Sequence, residues 1–381
     1  MFERSGLRSH LILALGFIAL YASIASFTSL WPFMVEIAGV DSASYGGFLG
    51  LGNLLSLAAR FLAAVTNNLG AIIFVGAFFS AAASLILIPG YTYYSIMFST
   101  LFQKLSFEVS RMGREVTAGM TLPRNWRGVF AAIVLSSTQL GILIGVNLGL
   151  MLFLLTRSYL HSLILGMVLA ALSAVILTPL WRMKLFQENF SPRLLIPSRK
   201  PVKILLIICI LDAFIWGGVF EFAYVLAPSY LGAVEADIGL ARTLGMIIVI
   251  PTNLFFGAVS DKLQSRKFFM IISELLGCVA LLCYAMMRSP ISIVIFGALM
   301  GLVSSTWIPL VIALFTEMTP QEELGAALSS WSILTGASRI IYPVVGGFLI
   351  ERLGVQFFFE LSAIMLLMIS ALIAVALEEN R

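Results

Sequence analysis

The sequence has little of the charge that a water-soluble protein needs. Asp, Glu, Lys and Arg together make up 11% of the 381 residues, whereas soluble domains average about 25%. Hydrophobic residues make up 60%, so the charged side chains are too few to form a hydrated surface around them. A soluble fold is therefore excluded, and we expect a lipid bilayer to surround most of the chain.

Residues that bind metals or form disulfides are also scarce. The chain has two histidines and three cysteines, with no Cys-x-x-Cys pair and no other metal-ligand spacing. Cys209, Cys278 and Cys283 all lie within apolar segments, and we interpret them as small packing residues. We therefore expect no metal site and no cofactor.

Motifs for ATP hydrolysis and for hydrolytic chemistry are missing. There is no G-x-x-x-x-G-K-[ST] loop, so nucleotide hydrolysis is not the expected driving force. There is no H-E-x-x-H or G-x-S-x-G, and His10 and His161 lie at the edges of apolar segments, which argues against an intramembrane enzyme. The net charge of +4 is spread over the loops, so we expect no nucleic-acid partner.

What the sequence does contain is twelve apolar segments separated by short polar breaks. Each is about long enough to cross a bilayer as a helix, and the apolar residues are continuous rather than alternating. The pattern predicts an all-α integral membrane protein with twelve transmembrane helices. The segments cover residues 11–37, 44–66, 69–88, 92–117, 127–155, 161–182, 203–228, 236–259, 268–287, 290–316, 325–349 and 355–377.

The longest polar stretch follows the sixth apolar segment. Residues 183–202 are rich in proline and basic side chains, and we predict a cytoplasmic linker there. It would join an N-terminal six-helix bundle, residues 1–182, to a C-terminal one, residues 203–381. A repeated pattern in corresponding loops supports two related halves: a proline followed five residues later by a glycine, at Pro123 with Gly128 and at Pro320 with Gly325.

The distribution of basic residues predicts the orientation. With the N-terminus inside, fifteen of the 23 Lys and Arg residues lie in cytoplasmic segments and three in outer loops. Positive residues concentrate on the cytoplasmic side of membrane proteins. We therefore expect a multi-pass protein of the cell membrane with both termini in the cytoplasm.

The loop between the eighth and ninth segments contains Gly257, Asp261, Arg266 and Lys267. Their spacing resembles a signature of the major facilitator superfamily, G-x-x-x-D-R-x-G-x-R-K, although Lys262 stands for Arg and Gln264 for Gly. We expect a gate on the cytoplasmic side, in which Asp261 bridges to a neighbouring helix end. The alternative is a loop that is basic only because it is cytoplasmic.

Three glycines in the fifth segment also resemble a family motif, that of the drug/proton antiporters, G-x-x-x-G-P-x-x-G-G. Gly141, Gly145 and Gly149 match, whereas Val146 and Leu150 replace the expected Pro and final Gly. Glycines at this spacing form a groove without side chains, which lets another helix approach closely. The motif favours export.

The family resemblance covers the whole chain by topology and implies a specific architecture. It implies two pseudo-symmetric six-helix bundles around a central cavity, which helices 1, 4, 7 and 10 line. It also implies alternating access through rocking of the two halves, and a monomer.

A stripe of charged residues in the fourth segment is a candidate site for substrate or protons. Lys104, Glu108, Arg111 and Glu115 recur at spacings of four, three and four and so lie on one helix face. Charged side chains within the hydrocarbon face protein or water. The alternative is an ion-pair ladder along the helix that neutralises itself.

The seventh segment supplies the second candidate. Asp212 lies near mid-depth, Trp216 shares its face one turn later, and Arg339 in the eleventh segment is a candidate partner. Asp212 is then a proton carrier or, alternatively, one half of a permanent pair with Arg339. Glu221 and Arg242 lie at equal depth on adjacent helices and predict an outer ion pair, whereas we expect Glu274 near the lipid headgroups.

These residues predict a secondary active transporter that moves a small organic solute, with proton-coupled export favoured. Two alternatives remain: proton-coupled uptake or exchange of an organic anion, for which Lys104, Arg111 and Arg339 would supply the positive charge, and a membrane receptor that does not transport. The expected partners are the small-molecule substrate, protons and the lipid bilayer.

Overall fold

The computed structural model describes residues 2–66, 69–120, 127–180, 199–263 and 265–377, and in these ranges all regular structure is helical. Seven helical stretches among the described residues are long and apolar enough to cross a membrane, and two shorter apolar helices accompany them. The prediction of an all-α membrane fold is confirmed. The count of twelve spans agrees with these helices but stays a prediction.

The first of two compact units comprises residues 1–40 and 51–190. Most of its helices are long, because their sequences are continuously apolar and contain few of the turn-forming residues that end a helix. They are α1 (Phe2–Ala25), α2 (Trp31–Ile37), α3 (Ser42–Thr66), α4 (Leu69–Leu85), α5 (Tyr93–Met120), α6 (Arg127–Thr156) and α7 (Tyr159–Leu177), with a short 3₁₀ turn at Thr178–Leu180. The first turns of α3, up to residue 50, belong to the second unit.

The second unit comprises residues 41–50 and 191–381. The predicted boundaries at 182 and 203 stay a prediction, because most of the predicted linker lies outside the described residues. The helices are α8 (Lys200–Trp216), α9 (Val219–Val225), α10 (Ala227–Leu231), α11 (Glu235–Leu263), α12 (Arg266–Met287), α13 (Pro290–Met318), α14 (Gln321–Ser338), α15 (Ile341–Leu353) and α16 (Val355–Ala376).

Two apolar segments that the sequence indicated as single helices are each divided in this unit. The seventh segment breaks after Trp216 at Gly217 and Gly218, two residues with low helix propensity. The eleventh breaks at Arg339, between α14 and α15. Pro343 explains this second break, since it has no N–H to bond the carbonyl of Arg339 four residues earlier.

The glycine stripe of α6 packs directly on α1. A Cβ atom at Gly141 or Gly145 would overlap backbone atoms of α1, at Ile18 and Ala22, and one at Gly149 would overlap the backbone of Ser26, just after α1. The expectation of a close helix approach at these glycines is confirmed. Backbone contact of this kind provides dispersion and weak hydrogen bonding where lipid supplies no hydrophobic driving force.

We predict opposite effects for two glycine substitutions within helices. Gly145→Ala should destabilise the protein by about 1–3 kcal/mol, because the added methyl overlaps the backbone of Ala22. Gly47→Ala in α3 is the matched control, since a Cβ there meets no atom within 4 Å. It should stabilise by roughly 0.5–1 kcal/mol through its better helix propensity. Thermal unfolding in detergent measures both, and equal melting temperatures for the two variants would contradict the packing.

The N-terminus of α3 is held by two carboxylates. The backbone N–H of Ser44 donates to Asp41 Oδ1 at 2.6 Å, and the Ser44 hydroxyl donates to Asp41 Oδ2 at 2.9 Å. Glu351 of α15 accepts a hydrogen bond from the backbone N–H of Ala43 at 3.0 Å. The hydrogen bond from the Ser44 backbone holds the pKa of Asp41 below its usual range.

The lowered pKa of Asp41 determines how the stability contribution of this cap changes with pH. The cap should contribute fully above pH ~4, the unfolded value, and its contribution should fall as the pH drops below that value. Asp41→Ala should therefore lower stability by about 1 kcal/mol at pH 7, with a smaller difference from the wild type at pH ~3. Thermal unfolding followed by circular dichroism at each pH measures this. A difference that stays constant from pH 7 to pH 3 would exclude a charge contribution.

Candidate functional site

Asp212 is the centre of a polar cluster inside the second unit. It lies on α8, with only 6% of its surface exposed. Its carboxylate accepts hydrogen bonds from the indoles of Trp216, one turn later on α8, and Trp307 on α13. Arg339 lies close enough to act on it electrostatically. Three polar groups from three parts of the unit therefore meet at one buried carboxylate.

Glycines set the positions of Trp216 and Arg339 in this cluster. A Cβ at Gly217 would come within 2.7 Å of the Arg339 Cα, so the break after α8 lies directly against the break before α15. A Cβ at Gly277 of α12 would come within 3.0 Å of the Trp216 ring. These glycines leave the space in which the indole and Arg339 approach Asp212.

Glu274 belongs to this cluster, and its predicted place near the headgroups was wrong. It lies on α12, is 2% exposed, and shares a hydrogen bond with the carboxyl group of Asp212. The sequence held one signal of this. Glu274 has no basic residue one turn before or after it on its own helix, so a buried position requires partners from other helices.

The first unit holds the charged stripe of α5. Arg111 Nε lies 3.3 Å from Glu108 Oε2, which makes an ion pair one turn apart along the helix. Glu108 is buried, whereas Lys104 and Arg111 are half-buried. The stem of Lys104 packs on α3, where a Cβ at Gly52 would come within 3.0 Å of it. The side chain of Glu115 lies outside the described residues.

This ion pair is what the self-neutralising ladder predicts for Glu108 and Arg111. Asp212, Trp216 and Arg339 lie together in the other unit, where they form the second cluster.

Both residues of the predicted outer pair, Glu221 and Arg242, interact with Tyr224. The guanidinium of Arg242 on α11 lies 4.0 Å from the ring centroid of Tyr224 on α9, a cation–π contact. Glu221, three residues before Tyr224, acts electrostatically on the same phenol group. A direct ion pair between Glu221 and Arg242 stays a prediction, whereas Tyr224 is a contact that sequence reasoning missed.

Arg266 of the predicted gating motif forms an ion pair with Glu317. Its guanidinium donates to Glu317 Oε1 from Nε at 3.0 Å and from Nη2 at 2.8 Å, and to the Ser260 hydroxyl at 2.8 Å. This joins the start of α12 to the ends of α13 and α11. Neither the surroundings of Gly257 nor the side chain of Asp261 belong to what the structure describes, and Lys267 is half-buried beside Arg266.

No cluster of three or more metal-ligating side chains occurs in the part of the chain that the structure describes. Within these residues, the arrangement at Asp212 instead offers a place for a small cation such as a proton. The carboxylate can exchange a charge partner for a proton without leaving its helix.

A family model described as Major Facilitator Superfamily matches residues 205–381. Among curated proteins, the chain is 24% identical over 164 residues to the "Multidrug resistance protein MdtG" of Klebsiella pneumoniae. That match covers 41% of this chain and 39% of the relative. The alignment therefore spans well under half the length of the curated relative.

Solved structures match along nearly the whole chain. The human organic anion transporter MFSD10 superposes with a TM-score of 0.68 at 14% identity, over 97% of this chain and 99% of that one. The nucleoside transporter NupG superposes with a TM-score of 0.74 at 12% identity, over 97% and 100%. At these identities the likeness shows the fold. The fold of these transporters and the family model over residues 205–381 agree, and the chain is similar to the Major Facilitator Superfamily.

Proposed function

We propose that this chain is a secondary active transporter that exports a small organic solute by alternating access and couples export to protons. The observation that carries the proposal is the buried Asp212, which two indoles and Arg339 surround. A charge within the hydrocarbon costs several kcal/mol unless it is paired or hydrated. A carboxylate kept in such a place is therefore a functional candidate.

The chemistry of the cluster supports proton coupling. When Arg339 lies close, its positive charge compensates the negative charge of the Asp212 carboxylate. If Arg339 moves away, the same carboxylate stays neutral only by binding a proton. Because Arg339 lies at the break between α14 and α15, a shift of that break changes the distance between the two charges. Conformational change and proton binding are linked by this distance.

Similarity supports export and an organic solute. The relative of Klebsiella pneumoniae carries the name of a multidrug resistance protein, and the α6 glycines resemble the drug/proton antiporter motif. The positive-inside pattern supports a cell-membrane protein with both termini in the cytoplasm. We propose a monomer, with the solute, protons and lipid as its partners.

Proton-coupled flux tests the proposal. In proteoliposomes that enclose a pH-sensitive dye, a panel of organic compounds should drive proton movement for the wild type. Asp212→Asn should reduce proton movement by at least tenfold, because the amide cannot carry a proton. Glu108→Gln should have a smaller effect, because Glu108 is paired with Arg111 along its own helix.

Glu360→Gln on α16 is the matched control. Glu360 is half-buried and accepts a hydrogen bond from Gln356 at 2.7 Å, away from both clusters, so proton movement should stay at the wild-type level. Solute flux that is independent of the proton gradient, and equal in all four proteins, would rule out proton coupling.

Uptake or exchange of an organic anion is the second candidate. The half-buried cations Lys104 and Arg111 in the first unit and Arg339 in the second favour it, as does the fold shared with a human organic anion transporter. Within the same assay, Lys104→Gln separates the two. An anion site requires this lysine for transport, whereas proton-coupled export requires the acidic residues more.

The Arg266–Glu317 pair should stabilise one conformation of the transport cycle. Glu317 is half-exposed, and exposed ion pairs contribute about 0–1 kcal/mol. Arg266→Glu and Glu317→Arg should each change the transport rate several-fold, because each places like charges together. The double swap should return the rate towards that of the wild type. A double variant no better than the single ones would show that the pair has no role in transport.

A further inference from the structure

The carboxyl groups of Asp212 and Glu274 make direct contact in the interior of the second unit. Each takes part in the other's hydrogen bonding, and they are 6% and 2% exposed. They come from different helices, α8 and α12. Helix α12 is held in place by packing on α13 and α16. Ser273, the residue before Glu274, donates a hydrogen bond to the carbonyl of Val303 on α13 at 3.3 Å.

A hydrogen bond between two carboxyl groups requires a proton. An ionised carboxylate has only acceptor atoms, so two carboxylates cannot form such a bond with each other. Two like charges in contact in a buried site also repel strongly, and pairs of this kind retain one proton between them. The contact between Asp212 and Glu274 therefore defines a site for a shared proton.

The surrounding groups determine which carboxyl holds that proton. The indole donors of Trp216 and Trp307 and the positive charge of Arg339 all act on Asp212. Glu274 Oε2, in contrast, has no hydrogen-bond partner among the described residues. Donors and cations stabilise the ionised form. Asp212 is thus the ionised member of the pair, and Glu274 is the one that carries the proton.

Arg339 brings a positive charge to the pair, and the other neighbours named here are uncharged. In the described part of the chain, α8 also contributes the buried thiol of Cys209, which acts electrostatically with both carboxyls. Helix α13 contributes the indole of Trp307, and the junction of α14 and α15 contributes Arg339. Helix α16 contributes apolar Leu366, whose side chain lies near Gly277. With one proton, the two carboxyls and Arg339 are neutral together.

We infer that Asp212 and Glu274 form a two-carboxyl proton-binding site in which Glu274 holds the proton while Asp212 is paired with Arg339. The inference deepens the proposed function and rests on it for its role in transport. Loss of Arg339 from the cluster leaves Asp212 without its cation, so the pair then binds a second proton. The site takes up and releases this second proton as Arg339 moves.

Infrared spectroscopy of the purified protein tests the site without any substrate. A protonated carboxyl absorbs through its C=O stretch, and the band shifts in ²H₂O. At neutral pH, the wild type should show a band of this kind that Glu274→Gln removes. Asp212→Asn should shift it, because the hydrogen-bond partner of Glu274 changes. Glu274→Asp should retain a band, and Glu360→Gln should leave the spectrum unchanged.

The same variants in proteoliposomes separate this inference from the proposed function. Glu274→Gln should retain both solute exchange and solute accumulation driven by a proton gradient, because its amide replaces the protonated acid as donor and Asp212 can still bind the second proton. Asp212→Asn should lose the accumulation. A wild type without the band, or a band that Glu274→Gln leaves intact, would overturn the two-carboxyl site. Proton-driven flux that only Asp212→Asn abolishes would then preserve the proposed function. The expected band without any proton flux would instead overturn the function and keep the site.

Discussion

The exclusion of water from the interior is the constraint on which this structure depends. With 60% hydrophobic residues, the helices have almost no surface that can hydrate a charge, and each ionisable side chain within them must find its partner in the protein. Glu108 pairs with Arg111 on its own helix, and Arg242 contacts the ring of Tyr224. Asp212 requires partners from several elements at once, which makes its charge sensitive to their arrangement.

Small residues and helix breaks create the space for those partners. Gly217 and Pro343 interrupt two helices at the same place, so that the backbone of Arg339 lies against the end of α8. Gly277 leaves room for the ring of Trp216. In the first unit, Gly141, Gly145 and Gly149 allow α6 to contact the backbone of α1. Close backbone contact thus serves packing in one unit and the placement of a charged cluster in the other.

Much of the fold was predictable, because a continuous segment of apolar residues predicts a helix in lipid. The close approach at the α6 glycines was predictable for a similar reason, since it depends on a spacing within one helix. The helix breaks were not anticipated, although Gly217, Gly218 and Pro343 are visible in the sequence, because glycine and proline are also tolerated inside unbroken membrane helices.

The candidate site was predictable only in part. Asp212 and Arg339 stand out as charges within apolar segments, and Trp216 follows from helical spacing. Glu274 and Trp307 were missed because their contacts join different helices, and spacing along one helix says nothing about which helix packs against it. A single carboxylate near a helix end is interpreted as interfacial until its neighbours are known, and the neighbour of Glu274 is Asp212 on another helix.

Intrinsic tryptophan fluorescence tests most directly whether Asp212 changes its charge within this cluster. Trp216 and Trp307 donate to its carboxylate, so proton binding at Asp212 should alter their emission. A pH titration of the purified protein should show a sigmoidal change in emission that is lost in Asp212→Asn and reduced in Trp216→Phe and in Trp307→Phe. A titration without such a change, or one that persists in Asp212→Asn, would contradict proton binding at this carboxylate.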